Sequence, residues 1–205
     1  MQISKSEITE LNGVQVLSGA LDANAQRALV EDLRCVAAAA PFFRPVTRRG
    51  TEMSVRMTSA GICGWISDRR GYRYEPKRPS GAAWPPIPES VLKIWRSVTG
   101  LGRDPDCCLV NYYAEGARMG LHQDRDEADF TRPVVSISLG DDALFRVGGV
   151  ERSDPTASVW LRSGDIAVLT GRSRLAFHGV DRVKPGTSTL LEHGGRINVT
   201  LRVVY

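Results

Sequence analysis

His122 and Asp124, in the run Leu121-His122-Gln123-Asp124-Arg125-Asp126-Glu127, set an imidazole and a carboxylate two residues apart. In an extended strand side chains alternate faces with period two, so the pair projects from one face. One more imidazole would complete the 2-His-1-carboxylate facial set that holds non-haem Fe(II) and keeps the other octahedral positions open for substrate and oxygen. The chain has three histidines, so His178 and His193 are both candidates for the third ligand. A histidine two residues before an aspartate also occurs on many surfaces that bind nothing, and the pair needs support from the rest of the chain.

Two further runs bear on the same chemistry. Asp126 shares the face of His122 and Asp124 if the strand continues, which puts a second carboxylate beside a substrate pocket and off the metal. In the last strand Arg196, Asn198, Thr200 and Arg202 share one face, while Ile197, Val199, Leu201 and Val203 share the other. The apolar face is core. An arginine inside a sandwich is tolerated only when an anion or a polar network satisfies it, and two arginines at even separation suit the two ends of a dicarboxylate. On an edge strand the same arginines would simply be solvated.

These residues need a scaffold, and 205 residues are enough for one domain with one sizeable core. A hydrophobic fraction of 42% with 24% charged residues excludes a disordered or membrane-embedded chain. Residues 1–7 lack a basic stretch followed by an apolar one, and no apolar run is long enough to span a bilayer. Cys35, Cys63, Cys107 and Cys108 form no CxxC pair, which suits a reducing, cytoplasmic setting.

Asp22 is a good N-cap for a helix whose apolar spacing runs through Ala25, Leu29, Val30, Leu33, Val36 and Ala37 to a stop at Pro41. A second helix spans about Pro88 to Gly100. From Cys107 onward, short strands are expected over 107–113, 118–122, 133–139, 143–148, 157–162, 165–169, 174–178 and 196–204, the pattern of an antiparallel sandwich or small barrel. Between the helices, residues 42–86 read as loops and turns around one strand-like run, 53–58. From Arg44 to Ser80 this segment holds nine basic and three acidic residues, so it carries +6 in a chain of net +4 and the remainder carries −2. Arginines interleaved with Trp65, Tyr72 and Tyr74 suit a polyanion whose bases stack on aromatic faces, although a solvated arginine-rich loop would have the same composition.

The segments Leu109-Val110-Asn111-Tyr112-Tyr113, His122 to Glu127, Ser173-Arg174 through His178-Gly179, and Arg196 to Arg202 resemble, in order and approximate spacing, the AlkB family of nucleic-acid demethylases. Met53-Ser54-Val55, Gly64-Trp65 and Gly71-Tyr72-Arg73-Tyr74 extend the resemblance over most of the chain from about residue 41. It implies a mainly β (α+β) fold, a double-stranded β-helix (jelly roll) with flanking N-terminal helices and a nucleotide-recognition lid. Within one domain, residues 1–41 would be an N-terminal extension and helix, 42–86 the lid and 87–205 the dioxygenase core.

The resemblance implies His122, Asp124 and His178 as the iron ligands and catalytic residues, with His193 left as a loop residue. It implies Asn111, Tyr112, Tyr113, Ser136, Arg196, Asn198 and Arg202 around 2-oxoglutarate, the two arginines taking its two carboxylates in an order left open. Trp65, Tyr72, Arg73, Tyr74, Asp126, Arg152 and Met57 would contact the substrate, Arg118 and Arg125 would reach phosphates, and Glu127 would be structural. Leu169 and Thr51 depart from relatives that carry an aromatic, with an effect confined to base fit.

The chemistry that follows uses Fe(II), 2-oxoglutarate and O2. Oxidative decarboxylation to succinate is coupled to hydroxylation of an N-methyl group, and the resulting hemiaminal collapses to formaldehyde and the repaired base. N1-methyladenine and N3-methylcytosine are cationic, so Asp126 and the faces of Trp65 and Tyr72 would favour them over the neutral parent bases. The implied partner is DNA, single-stranded by preference or damaged and double-stranded, with RNA as a further substrate; the implied protein is a monomer that does not engage membranes. An oxygenase with the same core acting on RNA or protein, and a metal-binding jelly roll without turnover, are the competing readings, and the basic aromatic lid argues against the latter.

Overall fold

The computed structural model describes residues 7–205. Residues 1–6, on which the expectation of no leader partly rests, lie outside that range. The chain begins with β1 (Glu7–Leu11), β2 (Val14–Ser18) and the helix α1 (Ala23–Ala39). There follow β3 (Arg56–Gly61), β4 (Gly64–Asp68), β5 (Gly71–Glu75) and α2 (Glu89–Thr99). The rest is β6 (Cys107–Tyr113), β7 (Met119–His122), β8 (Val134–Gly140), β9 (Asp142–Val147), β10 (Ala157–Leu161), β11 (Ile166–Leu169), β12 (His178–Lys184) and β13 (Arg196–Arg202).

A seven-stranded sheet, β1-β2-β11-β8-β13-β6-β3, faces a four-stranded sheet, β10-β9-β12-β7, and β4 and β5 form a separate hairpin. Every strand pairing is antiparallel, so the architecture is a jelly roll with two helices. Both helices cover the back of the large sheet, where Leu29, Leu33, Val36, Ile94 and Trp95 pack on Val135, Ile137, Leu139, Val199 and Leu201. Each such side chain, when fully buried, contributes roughly 1.5–3 kcal/mol. Asp22 caps α1 as expected, its Oδ1 accepting from the Ala25 amide at 2.8 Å. Gly100 closes α2 in the left-handed conformation, φ 66°.

The position of β13 settles how its polar face is used. It lies between β8 and β6, so the edge-strand alternative is excluded. Its apolar face meets the helices, and Arg196, Asn198, Thr200 and Arg202 are all buried on the side that lines the cavity between the sheets.

Three segments differ from the sequence expectation. No strand forms over 174–178; a 3-10 turn at Gly171–Ser173 is fastened by Thr170 and Ser173, and His178 starts a strand where the sequence pattern has it end one. The cause is Arg174, buried and committed to the carbonyls of Arg132 and Asp124 and to Glu127, a set of partners that a ladder strand could not reach. The strand expected at 53–58 runs over Arg56–Gly61 and is the edge strand of the large sheet, paired with β6. The remainder of the basic segment contains the β4–β5 hairpin, which is seated on a small cluster of Ala40, Ile66, Trp84 and Phe43. Gly64 permits that seat, since a Cβ there would stand 2.3 Å from the Trp84 ring.

Candidate active site

A cavity of about 310 Å³ opens between the two sheets, beneath the β4–β5 hairpin. On its small-sheet side the register sets His122, the last residue of β7, opposite His178, the first of β12, with ring centroids 4.5 Å apart. Asp124 follows two residues after the strand ends, its carboxylate 3.9 Å from His122 Nε2 and 3.7 Å from His178 Nε2. One ligand atom from each of the three lies within 4.8 Å of the others. Among the described residues no other group of three or more His, Cys, Asp or Glu side chains is placed to hold a metal ion. His193 is exposed on a distant loop beside Tyr112 and Asp141.

The electrostatics favour the ligating forms. His122 Nδ1 and His178 Nδ1 each lie 3.0 Å from a carbonyl, of Gly120 and Ala176 respectively. A carbonyl can only accept, so each Nδ1 donates and each Nε2 keeps its lone pair for the shared point. Burial, reinforced by the neighbouring His122, brings the His178 pKa down to about 4, which leaves the ring neutral at physiological pH. Burial alone would raise the Asp124 carboxyl, but Arg202, His178 and His122 outweigh it and hold the group well below the usual carboxylate range. Arg202 Nη2 donates to Asp124 Oδ1 at 2.8 Å, whereas Asp124 Oδ2 is buried without a partner. Two imidazole nitrogens and one uncommitted carboxylate oxygen fit a hard-to-borderline divalent cation such as Fe(II).

The floor of the cavity is cationic. Arg196 is 1% exposed, lies over the Tyr113 ring and donates Nη2 to Ser138 Oγ at 3.0 Å. Its Nε and Nη1 make no hydrogen bond, nor do Nε and Nη1 of Arg202. Burial pushes the Arg196 pKa down, with Tyr113 opposing, so the guanidinium sits where only an anion would satisfy it. Asn198 donates to Ser136 Oγ at 2.6 Å and accepts from Thr200 at 2.9 Å, and Asn111 and Tyr113 complete the wall. Such a floor fits a dianionic keto acid. Tyr112 does not share it; the alternation of β6 turns its ring to the other face, against Phe42 and Arg56, and its hydroxyl donates to the Gly194 carbonyl.

At the mouth, Trp65 and Tyr72 stack at 5.4 Å, and the Trp65 indole donates to Asp126 Oδ2 at 3.3 Å. Met57 lines the wall below them, as does Leu169. Tyr74 faces the same way as Trp65 but carries its hydroxyl past the cavity to Glu127. Arg73 lies on the opposite face of β5, held by Asp68 at 2.9 Å and Glu75 at 2.6 Å. Arg152 is at the rim, over Phe177 and bonded to the Leu121 carbonyl, without lining the cavity. Arg118, Arg125 and Thr51 are exposed. Sequence reasoning passes over Phe145, whose ring stands 6.0 Å from His178, and gives Arg174 no role; the run Ser173-Arg174 next to His178 is the available signal.

Comparison with known proteins agrees with this geometry. The family described as 2OG-Fe(II) oxygenase superfamily matches residues 13–202. The chain is 54% identical over 203 residues to an alpha-ketoglutarate-dependent dioxygenase AlkB homolog of Caulobacter vibrioides, covering 98% of this chain and 92% of that protein. It is 42% identical over 184 residues to the alpha-ketoglutarate-dependent dioxygenase AlkB of Escherichia coli (strain K12), covering 87% of this chain and 85% of that one. The solved structure of OsALKBH1 superposes with a TM-score of 0.80 at 33% identity, over 96% of this chain and 99% of that one.

Proposed function

Since the chain belongs to the 2OG-Fe(II) oxygenase superfamily, as an AlkB-type alpha-ketoglutarate-dependent dioxygenase, we propose that it demethylates cationic bases such as 1-methyladenine and 3-methylcytosine in DNA. Single strands are the preferred form, with RNA a further substrate. The observation that carries this reading is the mouth of the cavity, where an exposed carboxylate, Asp126, stands beside the Trp65–Tyr72 stack above His122, Asp124 and His178. An aromatic face and a carboxylate together select a flat cation, and a methylated base unpairs readily enough to enter.

When bound, iron and the keto acid supply oxidative decarboxylation by O2 and hydroxylation of the N-methyl group, after which the hemiaminal releases formaldehyde. The rest is the protein's work. His122 Nε2, Asp124 Oδ2 and His178 Nε2 would hold the metal. Arg196, with two unpartnered guanidinium nitrogens, would take a carboxylate of the keto acid, while Ser136, Asn111 and Asn198 orient it. Phe145, Val134 and Leu169 keep the inner wall apolar and exclude water.

We assign the protein to the cytoplasm, a reading supported by four free cysteines, and propose that it acts as a monomer. Among the described residues, no helix is long and apolar enough to cross a membrane.

The direct test is mass analysis of methylated single-stranded, double-stranded and RNA oligonucleotides incubated with the protein, Fe(II), ascorbate and 2-oxoglutarate. The expected change is a loss of ~14 Da, one CH2 on conversion of methyl to hydrogen. A methyl group that persists while 2-oxoglutarate is consumed would show uncoupled turnover and count against the nucleic-acid reading. Asp126→Asn should weaken demethylation of 3-methylcytosine by about tenfold, the lower end of what a hydrogen bond to a charged group contributes. A neutral methylated base should be processed as by the wild type. Equal losses on both would remove Asp126 from the recognition of charge.

A further inference from the structure

We propose that Glu127 is a positioning residue that ties the β4–β5 hairpin to the metal-ligand carboxylate, with Tyr74 on one side of it and Arg202 on the other. This rests on the iron-site reading above. Glu127 follows Asp126 directly, yet where Asp126 is exposed, the Glu127 side chain is 1% exposed. A carboxylate so buried must be paired, and it is paired with two guanidiniums. Oε2 lies 3.0 Å from Arg174 Nη2, and Oε1 lies 3.4 Å from Arg202 Nε. The Tyr74 hydroxyl donates to the same Oε1.

Both arginines then act on Asp124. Arg202 holds the side chain through Oδ1 at 2.8 Å, and Arg174 Nη1 holds the backbone carbonyl at 2.7 Å. With Oδ1 engaged by Arg202, Oδ2 is the Asp124 oxygen left free for a metal. Two buried cations and two buried anions balance one another, so removing the Glu127 charge frees Arg202 to move with or away from Asp124. The hairpin enters this network at one atom. Among the described residues, side-chain hydrogen bonds join β4–β5 to the segment 122–127 at two places, Trp65 to Asp126 at the solvent and Tyr74 to Glu127 inside.

Tyr74→Phe removes the hydroxyl and keeps the ring in its apolar packing near Met57, Cys107 and Val204. The experiment titrates Co(II) into the metal-free full-length protein, followed by visible absorption, with thermal unfolding of the metal-free protein in parallel. Tyr74→Phe is expected to bind Co(II) several-fold more weakly with a shifted absorption band. Glu127→Gln, one step behind the outer-sphere partner Arg202, is expected to lose up to about tenfold, the lower end of the effect of removing such a partner itself. A wild-type protein that takes up no Co(II) would overturn the metal site and this proposal together. If the wild type binds and Tyr74→Phe binds equally well, whatever its melting temperature, the link to the hairpin is overturned while the metal site stands. Should Glu127→Gln fail to fold, Tyr74→Phe decides alone.

Discussion

Asp124→Ala protein will retain neither Fe(II) nor Co(II) after desalting and will lose more activity than the ~100-fold typical of outer-sphere substitutions. The carboxylate sits between His122 and His178 and would contribute the single anionic ligand, without which two imidazoles would face a divalent ion in a partly buried site. The same change takes away one of two anions from Arg202, leaving Glu127 at 3.4 Å. Breaking a buried pair costs about 3–5 kcal/mol when nothing replaces the partner, and Glu127 should keep the loss below that range. Metal analysis by mass spectrometry, with circular dichroism to confirm the fold, decides the matter. Stoichiometric iron in the variant would refute the ligand assignment.

Arg196→Met carries the second large effect, and its two parts have opposite signs. Binding of 2-oxoglutarate should weaken by at least ~30-fold, the equivalent of about 2 kcal/mol for truncating one side of a buried charged pair. Without the co-substrate, however, the variant should melt higher than the wild type. Arg196 is 1% exposed and has two unpartnered guanidinium nitrogens, so the metal-free, ligand-free protein bears the desolvation of an unpaired cation. Replacing it by an apolar chain of similar length relieves that burden, and each 1 kcal/mol gained raises the melting temperature by about 2–4 °C in a protein of this size. At a few times the wild type's Kd, 2-oxoglutarate should stabilise the wild type and leave the variant nearly unmoved. Scanning fluorimetry with and without the keto acid measures both. A variant that melts lower and still responds to 2-oxoglutarate would show that Arg196 is structural.

Much of the site was legible because it is written in strand alternation. The four polar residues of β13 share a face for a geometric reason, and the partition holds in three dimensions because that strand is central. The same rule, applied to β6, separates Tyr112 from Asn111 and Tyr113, and applied to β5 it separates Arg73 from Tyr72 and Tyr74. The choice of His178 over His193 could not come from local pattern. It depends on β7 and β12 being neighbours in register, a long-range pairing between residues with no local signal in common. Glu127 was read as structural, but its buried pairing with Arg174 was hidden for a different reason. Charged residues in charged surroundings read as solvated, and only the closing of the fold buries these two against each other.

On the proposed reading, metal, co-substrate and base would each be met by a different piece of chain. Two of the three candidate metal ligands belong to the small sheet, the floor arginines to the large sheet, and the Trp65–Tyr72 stack to the hairpin. For protein engineering this means that specificity can be transplanted. A hairpin taken from a relative with another base preference can replace β4–β5 while the oxidising machinery stays in place, provided the graft keeps a phenol at position 74 and no side chain at position 64.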